Sequence, residues 1–203
     1  MKFLFAAVPI VLLLSTIPLA FAEFSFHNEF SAIDDTKILH VLGELENDSD
    51  SAMKNVLIKI SFYDKEGRTL DQFQRAPALE AINPGQSSSF EILYFDPQKV
   101  DNVSNYTISA TGQTADSKEK QLKILSSNSR LDLLGTYYVN AAARNEGQED
   151  ATNTIMVATL YDKDNRVIAI GKALAEAGPG SFNITANSEA PFGFSIIDKN
   201  WRA

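Results

Sequence analysis

The sequence predicts an all-β protein made of two tandem antiparallel β-sandwiches, the second of which lacks its last strand or two. Three observations favour this fold: short segments in which apolar and polar residues alternate, turn-forming Gly, Pro and Asn residues between them, and a repeat within the chain. Helical periodicity with capping residues is convincing nowhere, since the one tempting stretch, Ala173–Ala177, is too short for a stable helix.

The repeat becomes visible when the sequence is compared with itself at an offset of 98 residues. Residues 40–70 then align with residues 138–168 without a gap, and seven of the 31 positions are identical. The identities combine a Tyr-Asp-Lys-x-x-Arg motif with two upstream asparagines, which favours duplication of one unit. They are Val41/Val139, Asn47/Asn145, Asn55/Asn153, Tyr63/Tyr161, Asp64/Asp162, Lys65/Lys163 and Arg68/Arg166.

Each copy predicts an alternating strand followed by a hairpin turn. Val56–Phe62 places four apolar residues on one face, and its equivalent Thr154–Leu160 alternates more weakly. The motifs Asp64–Gly67 and Asp162–Asn165 predict turns, because Asp accepts hydrogen bonds from nearby backbone and Gly or Asn tolerates the left-handed conformation. The other predicted strands are Arg68–Gln74, Ser88–Phe95, Asn105–Gly112, Gln121–Leu125, Arg166–Leu174 and Phe192–Ile197.

Composition excludes several classes of function. The chain has 203 residues, no cysteine and two histidines, with 26 Asp and Glu against 18 Lys and Arg. Without cysteine there is no disulfide scaffold, thiolate zinc site or cysteine nucleophile. The acidic balance argues against a nucleic-acid partner, which would need clustered Lys and Arg. We expect no cofactor and no metal.

Residues 1–22 have the pattern of a secretory signal peptide. Lys2 precedes a long apolar run that ends in the small-residue pattern Ala20-Phe21-Ala22. We expect a signal helix that is cleaved before Glu23, which makes the protein secreted, extracellular or held at the cell surface. A run of this length can also span a bilayer, so the alternative is a retained membrane anchor.

The remaining chain divides into an N-terminal arm and two domains. The arm is predicted over residues 23–36, the first sandwich over 37–125, and the second over 126–203, with Ser126–Ser129 as a linker. Gln121–Leu125 is a short strand that either closes the first sandwich or opens the second.

The second sandwich is predicted to be incomplete. The first copy continues beyond Phe90–Phe95 with at least one more strand, whereas the sequence ends six residues after the equivalent Phe192–Ile197. A missing strand leaves an unpaired edge open to β-augmentation by another chain or by Glu23–Thr36. The other interpretation is a truncated open reading frame.

These residues resemble a known family. The run Val41–Asn47, the strand ending in Phe62-Tyr63-Asp64, and Asn83-Pro-Gly-Gln86 before Phe90 are similar to the FxLYD domain. The resemblance is fair over 37–112 and weaker over 131–197, where Pro-Gly is absent. It implies two immunoglobulin-like sandwiches of an extracellular or envelope module with no common enzymatic activity. The tandem arrangement is also similar to extracellular proteins of ammonia-oxidising archaea.

Few residues are candidates for sites. Four Asn-x-Ser/Thr sequons, at Asn47, Asn102, Asn105 and Asn183, are candidate N-glycosylation positions that would make the chain a glycoprotein. Two groups of acids invite comparison with a calcium loop, but neither supplies the six to eight oxygens required. They are Glu46, Asp48 and Asp50, and Glu66, Asp162 and Asp164. Solvated turn acids are favoured over weak calcium binding.

No catalytic residue is predicted. Gly-x-Ser-x-Gly and the phosphate-loop patterns are absent, and a catalytic triad would need His27 or His40. We therefore expect a non-enzymatic interaction or structural module that binds a protein or another component of the cell envelope. The alternative is an extracellular protein that binds a ligand or ion in the groove between the two domains. Membrane contact is expected only if the signal segment is retained.

Overall fold

The structure, a computed structural model, describes residues 23–116, 121–133, 135–178 and 181–197. The predicted signal segment lies outside these ranges. Within them the chain forms strands, a short 3₁₀ turn at Val100–Asn102 and no α-helix, which confirms the all-β prediction. The strands are β1 (Phe24–Ile33), β2 (Leu39–Asn47), β3 (Ala52–Tyr63), β4 (Thr69–Arg75), β5 (Ala81–Ile82), β6 (Ser87–Tyr94), β7 (Asn105–Ala115), β8 (Leu122–Leu131), β9 (Thr136–Asn145), β10 (Ile155–Tyr161), β11 (Val167–Leu174) and β12 (Glu189–Ile197).

In the first half of the chain two antiparallel sheets pack face to face, as in a β-sandwich. One sheet has the order β1-β2-β6, and in the other β3 pairs with β7 along one edge and with β4 and β5 along the opposite edge. The predicted alternation of β3 is confirmed, since Ile58, Ile60 and Phe62 are fully buried while Lys59 is exposed. These side chains form one core with Phe90 and its neighbours on the facing sheet.

The predicted N-terminal arm is an integral strand. β1 pairs with β2 from Phe24↔Asn47 to Ile33↔Leu39, so residues 23–36 do not lie along the open edge of the second half. One extra residue interrupts the ladder between His27 and Phe30, where Asn28 has a left-handed φ of 55°. Such a bulge transfers the following side chains to the other face of the sheet.

In the second half the sheet order is β12-β9-β8, and β10 pairs with β11. β8 pairs with β9 from Leu122↔Asn145 to Leu131↔Tyr137, just as β1 pairs with β2. The predicted boundary between residues 125 and 126 and the predicted linker Ser126–Ser129 therefore fall inside a strand. The physical reason is that strand pairing with β9, which is distant in the sequence, overrides the local preference of serine for loops.

The described strand β10 and its equivalent β3 differ in their pairing. β3 has strands on both edges, whereas among the described residues β10 pairs with β11 alone. The strand that would correspond to β7 is the one without a counterpart in the described part of the second half. Among the described residues, one backbone edge of β10 is therefore unpaired.

The two halves touch through the outer faces of two sheets. Tyr161 on β10 donates a hydrogen bond of 2.7 Å to Glu44 on β2, and the hydroxyls of Ser89 and Thr159 are bonded to each other. Leu42, which by alternation faces outward from the first core, is fully buried. The sheet β1-β2-β6 is thus covered on one face by the first core and on the other by β10 and β11.

Candidate functional site

The candidate site is the side of the second half where β10 has no paired neighbour among the described residues. Its first component is the unpaired edge of β10, which carries backbone N–H and C=O groups able to pair with another strand. β10 is positioned by Asn153, whose left-handed φ of 50° matches the φ of 51° at Asn55 before the corresponding part of β3. The two equivalent asparagines therefore have a local structural role, as their repetition predicted.

The second component is an apolar face of β8. Leu122 and Ile124 lie opposite inward-facing residues of β9, yet they are 38% and 54% exposed. In the first half the corresponding strand β1 is covered by β7, and Phe24 is only 7% exposed. The contact is close, because a Cβ atom added to Gly112 of β7 would lie 3.1 Å from the Phe24 ring.

The inward face of β10 shows the same lack of cover. Met156, Ala158 and Leu160 pack against the second core but are only half-buried. Their equivalents in β3 are fully buried. We call the unpaired edge of β10 together with Leu122 and Ile124 the open side.

A cavity of about 310 Å³ lies at the open side and reaches the first half. Its wall is mainly apolar on the second half and mainly polar on the first. The lining residues are Glu44, Leu79, Ser87, Ser88, Ser89, Leu122, Ile124, Ala143, Thr154, Ile155, Met156, Val157, Thr159 and Phe192.

Glu44 is the ionisable side chain in the lining of this cavity. Its carboxylate accepts hydrogen bonds from the Tyr161 hydroxyl at 2.7 Å and from Nδ2 of Asn28 at 2.6 Å. Burial, together with the Glu44 carboxylate, raises the pKa of Tyr161 to about 12. The phenol therefore stays protonated at neutral pH and holds Glu44 against the second half.

The repeated motif Tyr-Asp-Lys-x-x-Arg forms the same turn twice. Oδ1 of Asp64 accepts from the backbone N–H groups of Glu66 and Arg68, and Oδ2 accepts from Nε of Arg68 at 2.7 Å. Asp162 and Arg166 repeat this arrangement, with an Nε to Oδ2 distance of 2.8 Å. The prediction that Asp64 and Asp162 begin turns by accepting hydrogen bonds from nearby backbone is confirmed.

The asparagines Asn47 and Asn145 also have equivalent structural roles. Each is fully buried, and each donates from Nδ2 to two backbone carbonyl oxygens. In Asn47 the acceptors are Ser51 and Ile82, both at 2.8 Å. A glycan on Asn47 would require this side chain to leave its site, so the folded chain does not offer that sequon.

The other three sequons lie nearer the surface. Asn102 and Asn105 are exposed, next to the 3₁₀ turn and at the start of β7. Asn183 is half-buried, and its Oδ1 accepts from the backbone N–H of Asn153 at 2.9 Å. These positions remain predicted glycan acceptors.

The predicted acidic clusters do not come together as ligand sets. Asp164 and Asp162 face the guanidinium of Arg166, and Glu66 faces Arg68 at 3.3 Å. Among the described residues no group of three or more His, Asp and Glu side chains is arranged to hold a metal ion.

The structure adds one cluster that the sequence did not predict. His40 is buried, with Nδ1 2.9 Å from Oε1 of Glu91 and Nε2 3.2 Å from Oδ2 of Asp34. Burial alone would raise the pKa of Asp34, but hydrogen bonds from Ile38, Thr36 and His40 outweigh it and lower the pKa to about 2. The cluster ties β2 to β6 and to the end of β1, far apart in sequence.

Comparison with known proteins identified no relative, since no protein-family model and no curated protein sequence matches the chain. In the described part of the chain, no helix has the length and apolar character needed to cross a bilayer.

Proposed function

We propose that the chain is a secreted or envelope-associated, non-enzymatic interaction module that binds a partner protein at its open side. The observation that carries this proposal is the unpaired edge of β10, among the described residues, beside the uncovered Leu122 and Ile124. Soluble proteins seldom leave an apolar face next to a free strand edge without a partner, because such an edge pairs readily with other chains. The open side combines both features.

The chemistry of the cavity favours binding over catalysis. Glu44 already accepts two hydrogen bonds, and the other lining side chains are hydroxyl or apolar groups. General acid–base work needs at least one titratable group positioned to exchange a proton with a substrate. The repeated polar residues Asn47, Asp64 and their equivalents are fully used in caps and turns.

We further propose that both halves are immunoglobulin-like sandwiches of the FxLYD type. The sheet orders, the repeated Asn and Asp contacts and the Tyr-Asp strand ends support this relationship. Export through cleavage of residues 1–22 is part of the proposal. N-terminal sequencing of the protein from its native host should give Glu23 as the first residue, and an intact apolar segment in the membrane fraction would show anchoring instead.

The test of partner binding uses two exposed apolar residues. Ile124→Lys places a charge on the open side, whereas Leu57→Lys places one on β3, where Leu57 is 40% exposed and both strand edges are paired. An envelope protein recovered with the wild type and with Leu57→Lys, but lost with Ile124→Lys, is the expected result. If the two variants recover the same proteins as the wild type, the open side is not the binding surface.

The second candidate function is binding of a small ligand between the halves. The cavity of about 310 Å³ favours it, because this volume reaches the lower end of ordinary ligand pockets. Native mass spectrometry of the purified protein should then show a retained small molecule that Glu44→Gln releases. A strand at the open side would fill the same volume, so the two functions exclude each other.

A further inference from the structure

We propose that the open side accepts a single extended strand of the partner protein, antiparallel to β10, in the position that β7 has in the first half. This inference rests on the proposed function and specifies how the partner is held. Strand addition of this kind takes affinity from backbone hydrogen bonds and specificity from alternate side chains. The internal repeat supplies a template for both.

The template is the ladder between β7 and β3. Over its central part Tyr106 pairs with Phe62, Ile108 with Ile60 and Ala110 with Ile58. These three β7 side chains pack against the first core. The residues between them, Thr107 and Ser109, are exposed.

The offset of the repeat transfers this register to β10. Ile60 corresponds to Ala158, so the residue of the incoming strand that stands opposite Ala158 has more room than Ile108 has in the first half. Because a cavity beside buried apolar atoms is unfavourable, that position favours a large apolar side chain. The positions opposite Met156 and Leu160 correspond to Ala110 and Tyr106 of the template. We therefore expect small or apolar residues there.

The same strand would cover the uncovered face of β8. β7 packs over β1 in the first half, and the equivalent place in the second half faces Leu122 and Ile124. Burying these side chains would add the free energy of removing apolar surface from water to that of the backbone hydrogen bonds, which a polar strand edge alone does not provide. The partner segment therefore has alternating apolar residues facing inward, polar residues facing outward, and no charge at the inward positions.

A second copy of this chain fits less well. Suppose that β10 paired with β10 of another copy across a two-fold axis. Each β10 would then take the β7 position of the other copy, where its inward face would have to pack on the other copy's β8. That inward face is covered by β9, because Ala143 and Val139 of β9 pack in one cluster with Met156 of β10. The layers favour an extended segment that protrudes from its own protein.

The experiment uses a synthetic peptide with the β7 sequence, residues 105–115, added to the purified full chain. Hydrogen exchange read by mass spectrometry should show amides of β10 gaining protection on binding. The same peptide with Ile108→Asp should bind at least about tenfold more weakly, because a carboxylate would be buried on an apolar face. Ile124→Lys in the protein should weaken binding similarly, and the control Leu57→Lys should leave it within about twofold.

Each other outcome overturns the proposal. Absence of peptide binding, or protection of β3 instead of β10, means that the open side does not take a strand as β7 is taken. Protection, before any peptide is added to monomeric protein, of the β10 amides that point away from β11 means that the chain covers its own edge. Protection that appears with self-association means that a second copy is the occupant. The recovery assay with Ile124→Lys is separate, so a partner can depend on the open side without adding a strand.

Discussion

Removal of the Asn47 side chain tests how the repeated asparagines hold each half together. Asn47 is fully buried between β2, the following turn and β5. Its Nδ2 donates to the carbonyls of Ser51 and Ile82, and its Oδ1 accepts from the backbone N–H and the hydroxyl of Ser49. Asn47→Ala deletes all four hydrogen bonds at once.

The expected cost follows from these contacts. A hydrogen bond contributes about 1 kcal/mol net, and a buried group left without its partner costs about 1–3 kcal/mol. Asn47→Ala should therefore lower the free energy of unfolding by about 4 kcal/mol. Asn145 has three such bonds, to Glu149, Ile184 and Gly147, so Asn145→Ala should cost about 3 kcal/mol. Either loss is a large part of the free energy of unfolding of a typical domain, which is roughly 5–15 kcal/mol.

The assay is urea unfolding followed by circular dichroism, with hydrogen exchange to assign the loss to one half. Asn47→Ala should speed exchange in β2 and β3, and Asn145→Ala in β9 and β10. Asn105→Ala is the control, because Asn105 is exposed and only accepts from the adjacent N–H of Tyr106. A loss below about 1 kcal/mol for Asn47→Ala would refute the assignment of these bonds as a structural anchor.

Three further expectations follow from other contacts. Asn153→Ala should lower stability by about 1 kcal/mol in urea unfolding because φ is 50°, whereas Asn153→Gly should change it little. Tyr161 should ionise near pH 12, whereas the hydrogen bond with Thr107 lowers the pKa of Tyr63 below its usual value. Ultraviolet titration of the protein and of its Tyr161→Phe and Tyr63→Phe variants measures the two values. Equal pKa values for the two tyrosines would contradict this expectation. The pKa of Asp34 falls from 3.8 to about 2 on folding, so this carboxylate stabilises the folded protein above about pH 4 and ceases to do so toward pH 2. In Asp34→Asn, the midpoint of urea unfolding should therefore depend less on pH across that range.

Local signals predicted the elements whose reasons are local. Asp64 and Asp162 were recognisable as turn residues because an aspartate bonds to backbone groups two and four residues ahead, whatever the rest of the fold does. The alternation of β3 was readable because one face meets the core and the other meets water. The repeat then carried the same interpretation to the second half.

The elements that were misassigned depend on distant partners. Residues 23–36 were expected to form an arm that could pair along the open edge of the second half, whereas the ladder with β2 makes them a strand of the first half. Ser126–Ser129 looked like a linker because serine is typical of loops, yet it pairs with β9. The cluster of His40 with Asp34 and Glu91 joins residues that no short motif connects.

The burial of Leu42 shows why the open side is a joint property of both halves. The outer face of β2 is covered by β10 and β11, so the position of β10 is fixed against the first half by Tyr161 and Glu44 and by Ser89 and Thr159. The free edge of β10 consequently lies beside β6, and the cavity at this edge has a polar wall from the first half. A strand that enters must satisfy the second core with its inward side chains and this polar wall with its outward ones. The second half alone would select only the inward side chains of the partner strand. Selection of its outward side chains needs the polar wall of the first half, so both halves determine which strand binds.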